Sequence, residues 1–423
     1  MLLRRFWWLL SLMLIFSWPP SRISIAQTSN NIRIWWPEAL YDEPSRTTID
    51  ALFTNYNAAS NTQIESRIYL MNFQGMNVVS QLQLVNTVAP SALPDIVLIR
   101  RDDMNTILQQ ASLTSANADP TVYTQRPVEL QPLTVWDTIS ITNELSALSP
   151  TLVSMGEING IRYGLPYLIE VQHVLYEPTA FDEAPQTAQD LLAAGEPILF
   201  TARPNTGQAV NDFLLTLYVS AGGTFINSEG IPILDEVPLR QTLIFIEEAT
   251  ASQIISVDLL NYRQPEEYLD LLVEGERNFA FVNSSLYLTH EELTRFTVEA
   301  VPTLDTEPSV LLDGWVWVLL TDAPERQAAA FQFVRWMYET DQMVDVALAV
   351  HSIPVQERAL NAMDDPYYES IQNLIGNAIL VRGRRNPAAV ALQNAFEAVL
   401  NGASSTEAAT TALNSLSSST TDS

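Results

Sequence analysis

The sequence predicts an α/β protein of two units, on three observations. Extended and helical patterns alternate through the first hundred residues, and the alternation restarts after a turn-rich stretch at 158–177. The length, 423 residues, is enough for two domains with separate cores.

In the first unit, Ile32-Arg33-Ile34-Trp35-Trp36 reads as a strand closed by Pro37. Ile49, Leu52, Phe53 and Tyr56 then recur at helical spacing, 64–70 alternates as a second strand, and Val78, Leu82 and Val85 mark another helix. Ile96-Val97-Leu98-Ile99 has the unbroken apolar character of a parallel strand buried on both faces. A polar loop, Arg100-Arg101-Asp102-Asp103, is expected at its carboxyl end. Strand, helix, strand, helix, strand is the pattern of a doubly wound unit.

The stretch "INGIRYGLPYLIEVQHVLYE" opens on an Asn159-Gly160 turn and runs into apolar residues that enclose Glu170. Pro belongs at a strand's start or edge, so Pro166 is expected where one extended segment hands over to another. Beyond it, 186–194, 212–219, 239–249 and 265–273 read as helices, and 197–200, 278–282 and 296–301 as strands. A longer strand at 309–320 is expected to break at Asp313-Gly314. Residues 323–350 read as two helices with Phe331, Val334, Trp336 and Met337 on one face. The tail from Ser404 reads as helical to about Leu416 and frayed beyond.

Residues 1–26 have the form of a secretory signal: Arg4 and Arg5, an uncharged run to Trp18, and Ser24-Ile25-Ala26 before Gln27. An uncleaved N-terminal anchor is the alternative. The formal net charge is −28, a surface that repels nucleic acid and anionic lipid. All 21 basic residues are Arg, which removes P-loop and Schiff-base chemistry, and the absence of Cys removes thiolate chemistry and disulfides. His173, His290 and His351 lack metal-ligand spacing. A carboxylate pair acting on a glycan is the enzymatic alternative that composition leaves open.

Five stretches, taken in order, resemble the extracellular solute-binding proteins of ABC importers, in the carbohydrate-binding, maltose-binding-protein-like group. They are Pro94-Asp95-Ile96 with its polar loop; "NGIRYGLPYLIEVQHVLYE"; Ala221-Gly222-Gly223; "VEGERNFA" with "FVNSSLY"; and "VPTLD" with "LLDGWVWVLL" and "APERQAAAFQFVRWM". Glu177 departs from the usual Asn, Phe279-Ala280-Phe281 from Ala-Met, and the lipid-attachment Cys is missing.

The resemblance implies a two-lobed periplasmic-binding-protein fold, each lobe a doubly wound sheet, with hinge crossings and a helical C-terminus. The implied division is 1–26 signal peptide, 27–168 with 305–352 as lobe 1, 169–304 with 353–416 as lobe 2, and 417–423 a disordered tail. It implies capture of a small organic solute, a sugar or oligosaccharide, in the interlobe cleft for delivery to ABC permease subunits. The protein would be a periplasmic or extracellular monomer without catalysis, cofactor, metal or nucleic-acid partner. The ligand-binding residues it points to are Arg101 and Asp102 after the third strand and Glu170 at the first crossing. Trp36, Tyr167, Tyr287 and Trp315 would supply flat faces for a pyranose. Gly314 would allow close ligand approach beside Trp315, and Trp317 would pack. A carbohydrate-active enzyme and a ligand-presenting module for a sensor kinase are the two other function classes.

Overall fold

A computed structural model describes residues 31–60, 63–69, 76–116, 127–137, 148–181, 183–204, 207–304 and 307–419. Residues 1–26, read above as a secretory signal, and the last four residues lie outside the described residues.

Strands β1 (Asn31–Pro37), β2 (Gln63–Tyr69) and β3 (Ile96–Arg100) form a parallel set in the order β2-β1-β3. Helix α1 (Glu43–Ala59) joins the first pair. Asp42 caps it by accepting the Ser45 backbone N–H at 3.1 Å, with Pro44 in its first turn. Helix α2 (Val78–Val88) precedes β3, and α3 (Arg101–Ala116) follows it without a connecting residue. The expected polar loop at 100–103 is therefore the first turn of a helix. Asp102 and Asp103 suit that position, where backbone N–H groups and the helix dipole favour negative charge.

Two long strands carry the chain across the molecule. Strand β4 (Gly164–Tyr176) has 13 residues and β8 (Val310–Leu319) has 10, and they pair antiparallel. On one side β8 pairs with β3; on the other β4 pairs with β6 (Phe279–Asn283), which continues to β5 (Ile198–Leu199). The short β7 (Thr297–Glu299), β9 (Ile353–Pro354) and β10 (Ala378–Ile379) attach to β4, β4 and β8 in turn, giving a ten-stranded sheet.

Two expectations are corrected here. Asp313-Gly314 does not interrupt the strand at 309–320, because β8 is continuous through both residues. Nor is Pro166 a hand-over between segments, since it lies inside β4. The β4–β8 register slips there: Trp315 pairs with Leu168 and Val316 with Pro166, which leaves Tyr167 as the bulged residue. A bulge is where an internal strand tolerates a residue without an N–H donor.

Apolar packing separates into two bodies. In the first, both faces of the sheet are covered at β1, β3 and β8, while the edge strand β2 is largely exposed. Trp36, Ile96, Leu98, Trp315 and Trp317 face one core, while Trp35, Val97, Ile99, Val316 and Val318 face another. The second body gathers Val174, Leu175, Phe279 and Phe281 with helices α4 (Asp212–Ser220), α5 (Glu236–Ala251), α9 (Pro387–Leu400) and α10 (Ser405–Ser419). Helices α6 (Pro324–Met337), α7 (Thr340–Ala349) and α8 (Pro366–Ile375) pack in the first body, as does Ile353. The terminal helix runs to Ser419, beyond the expected fraying point at Leu416. No described helix is long and apolar enough to cross a membrane.

Candidate functional site

The register of the central strands places charged side chains side by side at the junction of the two bodies. Across the β4–β8 ladder Asp313 faces Glu170, and across the β3–β8 ladder Trp315 faces Arg100. Arg100 Nη2 lies 2.7 Å from Glu170 Oε1, and its guanidinium stacks 4.4 Å above the Trp315 ring. An ion pair and a cation–π contact thus hold one arginine at the end of β3.

The second body reaches this point in two ways. Asn211 caps α4 by accepting the Leu214 backbone N–H at 2.9 Å, which sets Asp212 at the helix start. Gln172 of β4 donates to Asp212 Oδ2 at 3.2 Å. The other approach is the segment 381–386, between β10 and α9. Gly383 turns it with a φ of +78°, and a Cβ there would meet Ile226 Cγ1 at 2.5 Å, so a side chain at this position is excluded.

That turn delivers Arg384 into a cage of carboxylates from three elements. Its guanidinium lies 2.6 Å from Asp212, 3.2 Å from Asp102 and 3.5 Å from Asp313. Arg385 pairs with Asp103 at 2.6 Å, and Arg101 donates to the Val381 carbonyl at 2.7 Å. The Arg384 side chain is 6% exposed and Asp102 5%, whereas Asp212, Asp313, Glu170 and Arg100 keep 12–21%. The cluster has a buried centre and an accessible edge.

Electrostatics follow from this layout. Burial would lower the Arg384 pKa, but Asp212, Asp102 and Asp313 outweigh it and hold the guanidinium above its ordinary value. Burial pushes Asp102 and Asp212 up, with Arg384 opposing it in both. In Asp313 burial acts the same way, yet Arg384 and Arg100 prevail and hold the carboxyl below its usual range.

The structure brings Arg101, Asp102 and Glu170 of the expected residues into this cluster, and Trp315 against it. Trp315 itself is wholly buried. Gly314 beside it serves packing rather than ligand approach, because a Cβ there would meet the Leu168 carbonyl oxygen at 2.3 Å and Met155 Cε at 2.9 Å. Trp36 lies elsewhere, its ring against Phe53 and Trp317 and its Nε1 donating to the Leu40 carbonyl at 2.9 Å. Tyr167 is buried between Trp317 and Tyr338.

Tyr287 belongs to a helical turn, Ser284–Thr289, capped by Asn283. It stacks on Tyr367 at 4.2 Å between ring centroids and remains half-buried. Behind it His173 is buried, with its Nε2 2.9 Å from the Tyr367 hydroxyl. Burial lowers its pKa to about 3, so the imidazole is neutral at physiological pH.

Sequence reasoning did not single out Arg100, Asp212, Asp313, Arg384 and Arg385, which the structure brings into the cluster. One signal was available. In a strongly acidic chain, "VRGRRN" at 381–386 places three of the 21 basic residues within four positions. Among the described residues no group of three or more His, Asp or Glu converges as a metal site would require. A separate cavity of about 290 Å³ lies at the opposite end of the parallel strands, lined by Arg33, Asp95, Gln131 and Arg326 among others.

The molecule is similar to solved structures over nearly its full length. Cyclic α-maltosyl-1,6-maltose binding protein from Arthrobacter globiformis matches with a TM-score of 0.68 and 18% identity, covering 91% of this chain and 97% of that one. An ABC substrate-binding protein from Listeria monocytogenes in complex with cycloalternan matches at 0.64 and 15%, covering 92% and 98%. A maltose-bound protein of T. maritima matches at 0.65 and 16%, covering 92% and 99%. These likenesses show the same two-lobed fold. The sequence matches none of the curated proteins compared with it. The family model described as bacterial extracellular solute-binding protein matches residues 80–370, well over half of the chain. The chain therefore belongs to the bacterial extracellular solute-binding proteins, a family that binds rather than transforms its solutes.

Proposed function

We propose that this protein captures a carbohydrate between its lobes and delivers it to the permease subunits of an ABC importer. The observation that carries the reading is the charged cluster at the lobe junction, assembled from the carboxyl end of β3, both crossing strands, the start of α4 and the 381–386 turn. Ligands of open α/β sheets bind outside the carboxyl ends of the strands. The saccharides named for the proteins of similar fold support the ligand class.

In this reading lobe 1 comprises 31–168 and 310–375 and lobe 2 comprises 174–301 and 387–412, following the two apolar bodies. This moves the third crossing from 353 to the segment between β10 and α9. Glu170, Asp102 and Arg101 keep the binding roles expected of them, joined by Arg100, Asp212, Asp313 and Arg384 at the cluster. Tyr287, half-buried on its helical turn, is retained as an aromatic face. Trp315 acts through Arg100, and Trp36 and Tyr167 support the core beneath. The protein works as a monomer, exported with cleavage before Gln27.

Titration calorimetry tests the proposal, using protein recovered from its native host, whose first residue is expected at or near Gln27. Maltotriose, mannotriose and cellotriose form the first panel. At least one should bind, and Glu170→Ala should weaken it by roughly ten- to a hundredfold, the cost of a lost charge-assisted hydrogen bond and an unpaired Arg100. Glu170→Gln should lose less, since the amide still accepts a hydrogen bond. Wild-type affinity in Glu170→Ala would remove this residue from the site.

A further inference from the structure

The cluster at the lobe junction is satisfied in charge and unsatisfied in hydrogen bonds. Every carboxylate in it already faces a guanidinium: Asp102, Asp212 and Asp313 share Arg384, Glu170 holds Arg100, and Asp103 holds Arg385. Arg101 adds a further positive charge 3.9 Å from Asp102, and Arg382, close enough to act on Arg101, brings the guanidiniums to five against five carboxylates. Yet Asp102 Oδ2 and Arg384 Nε, 3.2 Å apart as an ion pair, are not aligned for a hydrogen bond to each other, and with Arg101 Nε they are buried without a directed hydrogen bond to any described residue, as is Trp315 Nε1 nearby.

We infer that Arg384 and the carboxylates around it select an uncharged, polyhydroxylated solute and reject one bearing a carboxylate, phosphate or ammonium group. This rests on the carbohydrate reading above and narrows it. A hydroxyl both donates and accepts, so it can serve an orphaned carboxylate oxygen and an orphaned guanidinium N–H without altering the charge balance. A charged solute finds each counter-charge taken and brings an unpaired charge into a largely dehydrated site. The selectivity therefore depends on the cage around Arg384. Removing its positive charge leaves surplus carboxylate and should favour a cation, whereas neutralising Asp212 leaves surplus guanidinium and should favour an anion.

The test is a set of matched titrations on the wild-type protein, Arg384→Gln and Asp212→Asn. The probes are the neutral trisaccharides of the first panel, the C6-oxidised (uronate) form of each, and triglucosamine, which differs from cellotriose by an ammonium in place of each 2-hydroxyl. The wild type should prefer a neutral trisaccharide over its uronate form, and over triglucosamine, by on the order of a hundredfold. Arg384→Gln should shift the triglucosamine-to-neutral affinity ratio upward by tenfold or more, and Asp212→Asn should shift the uronate-to-neutral ratio likewise. Asp212→Asn is nearly isosteric and lies at the accessible edge, so it decides the matter even if Arg384→Gln fails to fold. Wild-type binding of a charged form within about threefold of the neutral one, or ratios unmoved in Asp212→Asn, overturns the inference and leaves the carbohydrate reading standing. No binding by any saccharide, charged or neutral, overturns both.

Discussion

Replacing Arg384 with Met should lower the unfolding free energy by about 3–5 kcal/mol at pH 7, the cost of breaking a buried ion pair from one side. The side chain is 6% exposed and is the shared partner of three carboxylates. Met keeps most of the volume, so the loss reports charge rather than packing. The deficit should depend on pH with a definite sign. Arg384 holds Asp313 below its usual pKa, which contributes stability present above the unfolded value of 3.8 and lost as pH falls through the folded one. Asp102 and Asp212 are already raised by burial against the pull of Arg384, and without it they rise further. All three then cost most when ionised, so the gap to wild type should narrow as pH falls from neutrality toward and below 3.8. Urea unfolding at pH 7 and pH 4 measures this. An equal deficit at both values would mean that Arg384 serves packing alone.

Trp315→Ala should cost about 3–5 kcal/mol in stability, the range for truncating a large buried aromatic. The ring is fully buried and carries the Arg100 guanidinium on its face. Its removal opens a cavity in the core shared with Trp36 and Trp317 and also frees Arg100 from one of its two restraints. Trp315→Phe retains an aromatic platform and should recover most of the stability. Thermal unfolding together with trisaccharide titration separates the two effects. A stability loss with Arg100 still positioned predicts near-normal affinity in Trp315→Phe. A variant that loses affinity while keeping full stability would instead place the indole on the solute.

Much of the fold was legible because local patterns carry it. The apolar run 96–99 has the character of a strand covered on both faces, and Ile96, Val97, Leu98 and Ile99 are all inaccessible. The helix expected at 212–219 likewise forms, capped by Asn211. Adjacent strand residues point to opposite faces, so Trp35 and Trp36 enter different cores, and because both faces are packed at that point Trp36 is not left open to a pyranose. The bulge at Tyr167 depends on the partner strand's register, which no single segment encodes. Glu170, Arg101 and Asp102 were singled out through order and resemblance, and the structure brings them into one charged cluster. Arg384 was not, because its partners lie 282, 172 and 71 positions away in sequence, and nothing local tells a buried arginine from a solvated one.

A crystal structure of the protein with its tightest-binding trisaccharide decides where the solute sits. Sugar density is expected at the lobe junction, with hydroxyls on Glu170, Asp313 or Asp212 and hydrogen bonds supplied to Arg101 Nε or Arg384 Nε, which lack a directed one. Density instead in the cavity lined by Arg33, Asp95 and Arg326, with the arginine–carboxylate cluster untouched, would contradict it.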